Sequence, residues 1–156
     1  MRLMAVLAES LLVAACGGGN PTLPAPASER YAAEVTFCVD QTNEYRASAG
    51  RPALARSAAL ESYAAAAAGS DGRARVAHQY FERTNGGGIA RAENLVPWWP
   101  LSSFVDVRNV VRQGLAKMWR EGPSGVHYQN IVGAYSQIGC GVLVNGDEVT
   151  VVQAFR

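Results

Sequence analysis

The chain has 156 residues, with 14 Lys and Arg against 13 Asp and Glu and a formal charge of +1 at neutral pH. That length suits a single domain able to bury roughly two-thirds of the surface its unfolded form exposes. No basic run or stripe interrupts the balance, which argues against nucleic acid as a partner, and no apolar stretch approaches the roughly 20 residues of a membrane-spanning helix.

The amino terminus differs from the rest. Residues 1–15 combine a basic start at Arg2, a mostly apolar segment from Leu3 to Ala15 interrupted by Glu9, and small residues just before Cys16. This is the layout of an export signal. The "VAAC" at its end resembles the bacterial lipobox, which implies a signal peptide of lipoprotein type, cleaved before Cys16, with Cys16 as the lipidation site. Gly17 after the cysteine implies an outer-membrane lipoprotein facing the periplasm or the cell surface; an ordinary secreted protein is the alternative. Residues 16–28, "CGGGNPTLPAPAS", are too rich in glycine and proline to build a core and read as a linker. The folded domain is expected over residues 29–156.

Two further cysteines, Cys38 and Cys140, lie in a chain expected to reach an oxidising compartment, and a Cys38–Cys140 disulfide is predicted. Two buried thiols are the alternative. From Glu29 to Ala49, Tyr31, Val35, Cys38 and Tyr45 recur at helical spacing, and Gly50 with Pro52 stops the helix. Ser57 caps a second helix, "SAALESYAAAAAG", which Gly69 is expected to end. "FVDVRNVVRQGLAKMW" sets Val107, Val111, Leu115 and Met118 on one side of a third helix leading into Glu121. "QIGCGVLV" and "EVTVVQAF" then read as two strands paired through a tight turn at Asn145-Gly146. Helices before a closing hairpin suggest an α+β domain with helices covering a small sheet.

The chain contains only two histidines, His78 and His127, both beside turn-forming sequence. The carboxylates available to match them are Glu93 and Glu121. Two imidazoles and two carboxylates either ligate a zinc ion or satisfy one another as a hydrogen-bonded cluster, and spacing alone does not choose. "EGPSGVH" forbids a continuing helix and forces a bend between Glu121 and His127. "TNGGGIARAEN" lacks the Lys-Ser/Thr ending of a phosphate loop and reads as a pliable loop. In "VPWWPL", prolines hold Trp98 and Trp99 semi-rigid, as one side of a ligand platform or as core. Ser124 stands near His127 without an orienting acid and is expected to be a turn residue.

"TNEYRASAGRPAL", "AHQYF", "AENLV", "MWREGPSGVHYQNIV" and "IGCGV", in this order, resemble the successive blocks of the CAP superfamily: cysteine-rich secretory proteins, antigen 5 and pathogenesis-related 1 proteins. The likeness spans about residues 37–156. Val126, between Gly125 and His127, departs from the eukaryotic pattern. The resemblance implies a three-layer α-β-α sandwich with a cleft formed by His78, Glu93, Glu121 and His127. It also implies His78 and His127 as candidate metal ligands; Trp98, Trp99, Tyr128 and Asn130, from their own sequence setting, are the candidate cleft rim. Tyr128 and Asn130 either orient His127 or satisfy local backbone. The function so implied is a membrane-tethered binding module for a lipid, glycan, protein or divalent cation, with no cofactor required and zinc as the candidate ion. A metal-assisted hydrolase using the same cleft is the alternative.

Overall fold

The computed structural model describes residues 30–156. The signal peptide, Cys16 and the linker expected up to residue 28 lie outside the described residues. The first helix, α1 (Ala32–Ser48), buries Val35, Cys38, Val39, Thr42 and Arg46 along one face. Gly50, at a φ of 68° that a side chain would resist, turns the chain out of it. A two-residue strand, β1 (Ala55–Arg56), leads to α2 (Ala58–Ala74), where Ser57 Oγ accepts the Leu60 N–H at 3.4 Å.

Gly69 does not end α2, contrary to expectation. The helix runs on to Ala74 and stops where Arg75 takes up a left-handed conformation, φ 54°. Gly72 of this helix serves packing: a Cβ there would collide with Leu143 and Thr150, so the missing side chain lets α2 approach the sheet. A short helix α3 (Gln79–Thr84) and a 3₁₀ turn over Asn85–Gly88 follow, then β2 (Ala92–Pro100). The segment holding Trp98 and Trp99 is therefore a strand, and "TNGGGIARAEN" is partly 3₁₀ turn and partly strand. After a 3₁₀ turn at Leu101–Ser103, Asp106 caps α4 (Val107–Arg120) by accepting the Asn109 N–H at 2.7 Å. The chain closes with α5 (Val126–Val132), β3 (Gln137–Asn145) and β4 (Glu148–Phe155).

The sheet order is β1-β3-β4-β2, with β1 parallel to β3 and the other pairs antiparallel. Because side chains alternate across a strand, each strand feeds two cores. Ile138, Cys140, Val142, Val151 and Phe155 face α1, α4 and α5, together with Val111, Leu115 and Ile131. Val152 and Ala154 face α2, where Leu60, Ala64 and Ala67 meet them. The result is an α-β-α sandwich. "IGCGV" is explained by this alternation: a Cβ on Gly139 or Gly141 would run into the main chain of α2, while Cys140 between them points the other way and bonds Cys38 on α1. The disulfide thus ties the central strand to a covering helix across the larger core.

Candidate functional site

The bend between Glu121 and His127 is a tight turn with Gly122 at φ 69°. It folds Glu121 back over the start of α5, a path open only because Gly125 has no Cβ to obstruct the Glu121 side chain. His127 Nδ1 lies 2.6 Å from Glu121 Oε1, and the His127 main-chain N–H donates to Glu121 Oε2 at 3.2 Å. Both side chains remain about one-third exposed (33% and 31%), so this pair is well hydrated.

The second pair is built differently. His78 precedes α3 with φ at 61°, a left-handed conformation uncommon for a residue with a side chain. Its Nδ1 meets Glu93 Oε1 at 2.9 Å. Glu93 lies on β2 with its side chain 1% exposed, while that of His78 is 37% exposed. Asp71 on α2 adds a second carboxylate, fully buried, whose Oδ1 accepts the Tyr80 N–H at 2.8 Å. Among the described residues neither Glu93 Oε2 nor Asp71 Oδ2 has a hydrogen-bond partner. The hydrogen bond to Glu93 raises the His78 pKa, against the effect of burial, and the charges of Glu93 and Asp71 add to the rise. Burial raises Glu93 although His78 opposes it, and burial likewise raises Asp71. Both partners move upward, so the His78–Glu93 pair as a unit holds a proton more tightly than its members do in water.

Both imidazoles thus use Nδ1 on a carboxylate. A carboxylate only accepts, so Nδ1 carries the hydrogen and Nε2 is left for another partner. The two rings line one cleft of about 250 Å³, whose apolar wall is Leu95, Val96, Pro97 and Met118, with Trp99, Lys117 and Glu121 completing it. Its shape follows from a break in β2: the pairing with β4 slips between Val96 and Trp99, and Trp98 adopts a φ of 29°. Pro97, unable to donate to a ladder, occupies that break, and the bulge carries Pro97 and Trp99 to the cleft. On the opposite wall Gly114 lets α4 close onto Val96, whose side chain fills the space a Cβ would take.

Of the four residues expected at the rim, Trp99 lines this cleft. Trp98, Tyr128 and Asn130 do not line this cleft. Tyr128 packs on Trp119 with ring centroids 4.5 Å apart, and Trp119 stacks on Tyr45 at 4.9 Å, so Tyr128 fastens α5 to α4 and α1. Asn130 Nδ2 donates to Asn94 Oδ1 at 2.8 Å and to the Glu93 carbonyl at 3.2 Å. Besides Glu121, Asn94 holds His127's main chain, donating to its carbonyl at 3.1 Å and to Gln153 Oε1 at 3.0 Å. Asn94 and Gln153 were not among the expected site residues; "AENLV" was the only signal near either.

Zinc ordinarily requires three protein ligands or more. Among the described residues no group of three His, Cys, Asp or Glu side chains is gathered closely enough to hold a metal ion. Glu93 and Glu121 each hold an imidazole by its Nδ1, which leaves the two Nε2 atoms free, one short of the three protein ligands a resident zinc ordinarily takes.

A three-layer α-β-α domain with two carboxylate-held histidines on one apolar cleft is the class of protein this structure defines. The family model "CAP: Cysteine-rich secretory protein family" matches residues 39–155, well over half of the chain, and the chain belongs to that family. Similar solved structures include a cysteine-rich secretory protein from Staphylococcus aureus, with TM-score 0.51 and 15% identity over 80% of this chain and 39% of that one. Another is an extracellular protein containing an SCP domain from Bacillus anthracis, with TM-score 0.57 and 15% identity over 88% of this chain and 45% of that one. The chain therefore spans less than half the length of either, and at such identity the likeness is one of fold. No curated protein matches it.

Proposed function

We propose that this is an exported binding protein that takes a small amphiphile into the His/Glu cleft. The apolar part would rest on Leu95, Val96, Pro97 and Met118, and the polar head would meet the Nε2 atoms of His78 and His127. The observation that carries this reading is the pairing of two oriented imidazoles with an apolar-walled space of about 250 Å³, room for about eight waters at ~30 Å³ each in the liquid. Export is supported by the Cys38–Cys140 disulfide, which persists in oxidising compartments, and by the secretory and extracellular character of the two proteins it resembles. We further propose a lipid anchor at Cys16, placing the domain at the outer membrane on its periplasmic or outer side. Metabolic labelling with an alkynyl fatty acid tests it: label retained by Cys16→Ser would end the idea.

Decanoate and decanol, one charged and one not, are suitable probes, read by quenching of tryptophan fluorescence because Trp99 lines the cleft. Saturable binding is expected, weakened about tenfold by His127→Ala, the loss of one charge-assisted hydrogen bond. Equal affinity in the native protein and in both His78→Ala and His127→Ala would refute the site. Calorimetry with zinc alone covers the ionic alternative: saturable binding abolished by both substitutions would assign the two Nε2 atoms to a cation. A metal-assisted hydrolase would need a third protein ligand, and no group of three His, Cys, Asp or Glu side chains is gathered among the described residues, so binding is the better-supported use of this cleft.

A further inference from the structure

A second cavity, of about 510 Å³, shares no residue with the His/Glu cleft and is walled by four arginines, Arg46, Arg51, Arg91 and Arg156. Arg46 and Arg51 lie five residues apart, Arg91 and Arg156 come from distant parts of the chain, and the main chain gathers all four. The Arg51 N–H donates to the Arg46 carbonyl at 2.8 Å, the Arg91 N–H to the Phe155 carbonyl at 2.7 Å, and the Arg156 N–H to the Gln137 carbonyl at 3.0 Å. No acidic side chain lines the cavity. Among the described residues none of the four arginines forms an ion pair. Even an α-carboxylate on Arg156 would leave three of the four positive charges uncompensated.

Arg46 is the built part of the site. It is 1% exposed, and three carbonyls fix it: Nε donates to Pro52 at 2.9 Å, and Nη1 donates to Ile131 at 2.6 Å and to Gly133 at 2.9 Å. Its Nη2 has no acceptor among the described residues, although the side chain borders the cavity. Burial, and after it the charge of Arg51, lowers the Arg46 pKa, an unfavourable situation that an anion in the cavity would relieve. Tyr135, held against Phe155 with centroids 5.4 Å apart, adds an aromatic wall, and Ser136 adds a hydroxyl.

We propose that this arginine cavity binds a phosphomonoester, with the phosphoryl group on Arg46, Arg51 and Arg91 and the organic remainder against Tyr135. A carboxylate has two oxygens to offer, whereas a phosphomonoester offers three and close to two negative charges, which suits several guanidinium forks converging on one space. The cavity is also larger than a bare phosphate needs.

Calorimetry on the full chain with glycerol 3-phosphate, and separately with inorganic phosphate, tests the site. Saturable one-to-one binding is expected, tighter for the ester, and weakened about tenfold by Arg51→Ala or Arg91→Ala, both of which replace exposed side chains. Arg51→Lys keeps the charge but not the fork and should be intermediate. Arg112→Ala on α4 and His127→Ala should bind normally; the latter also separates this site from the cleft. To identify the source, the Cys16→Ser full chain is floated with phosphatidylcholine vesicles with and without phosphatidic acid. Capture by phosphatidic acid that Arg51→Ala abolishes assigns a lipid headgroup, and soluble binding without such capture assigns a free phosphate ester. Absence of saturable binding to every probe, or equal weakening by Arg112→Ala, would overturn the proposal.

Discussion

Removing the carboxamide of Asn94 should cost more stability than any single hydrogen bond it makes, and the excess should vanish when Gln153 is removed with it. Asn94 is fully buried and faces Gln153 across the β2–β4 pairing. It donates to the His127 carbonyl and to Gln153 Oε1 and accepts from Asn130. Gln153 Nε2 in turn donates to Thr42 Oγ1 at 2.6 Å, and the Thr42 hydroxyl donates to the Cys38 carbonyl at 2.7 Å. Asn94→Leu keeps the branched heavy-atom shape, breaks three bonds worth about 1 kcal/mol each and strands Gln153 Oε1, for a loss of about 4 kcal/mol. Gln153→Leu breaks two and strands one Asn94 N–H, for about 3 kcal/mol. In the double variant neither orphan exists and the Asn94–Gln153 bond is lost only once, so the combined loss should be about 4 kcal/mol, about 3 kcal/mol short of the sum. Urea unfolding at constant slope gives all four values. Additivity within about 0.5 kcal/mol would refute the network. Asn94→Leu should also weaken decanoate binding more than Gln153→Leu does, because only the former releases the main chain of His127.

Reduction of Cys38–Cys140, separated by 102 residues, should destabilise the protein by up to about 4.7 kcal/mol, the chain-entropy value for a loop of that length. The check is the urea midpoint with and without reductant; an unchanged midpoint would contradict the bridge's role. A pH dependence follows from His78, whose folded pKa lies above its unfolded value. Its contribution is whole below the unfolded value of about 6.5 and is lost as pH rises through the folded one. Glu93 and Asp71 are also raised and act in the same direction, starting from the ordinary carboxylate range near ~4. Stability should therefore decline as pH rises above the ordinary carboxylate range and again as it rises above the unfolded histidine value, and Glu93→Gln should flatten that decline; a rise in the native protein over the same interval would show the sign to be wrong.

The closing hairpin was legible because alternation and Asn145-Gly146 act locally, and α1 and α4 because their apolar spacing does. Strand β2 was not. Pro97 and Pro100 count against a strand in sequence, yet β2 is an edge strand, and Pro97 falls where the pairing slips, so no ladder bond is forfeited. Helices α3 and α5, of six and seven residues, are too short for a periodic signal to develop. Gly72 and Gly114 carry no local sign of their packing role, because a sequence does not show what lies opposite them. His78, Glu93, Glu121 and His127 could be named from rarity and resemblance, but nothing local distinguishes a buried Asn94, Thr42 or Asp71 from an exposed one. Arg46, Arg51, Arg91 and Arg156 become a cluster only when the ends of α1, β2 and β4 meet.

The two histidines of the cleft also differ in kind, and this decides how they should be probed. Glu121 and His127 are six residues apart on one turn, both partly in water, so losing either leaves its partner hydrated. Glu93 belongs to the sheet and His78 to a strained loop ahead of α3, and the carboxylate they share is sealed from solvent. His78→Ala would leave Glu93 buried beside Asp71 with its remaining opposite charge gone, so Glu93 must take up a proton or the loop must shift. Binding lost in that variant would mix chemistry with rearrangement. His127→Ala carries no such burden, and its affinity is the cleaner measure of what the imidazole contributes. If His127→Ala bound ligand normally while His78→Ala bound none and also melted earlier, the cleft would be shaped by His78 rather than read by a pair of rings.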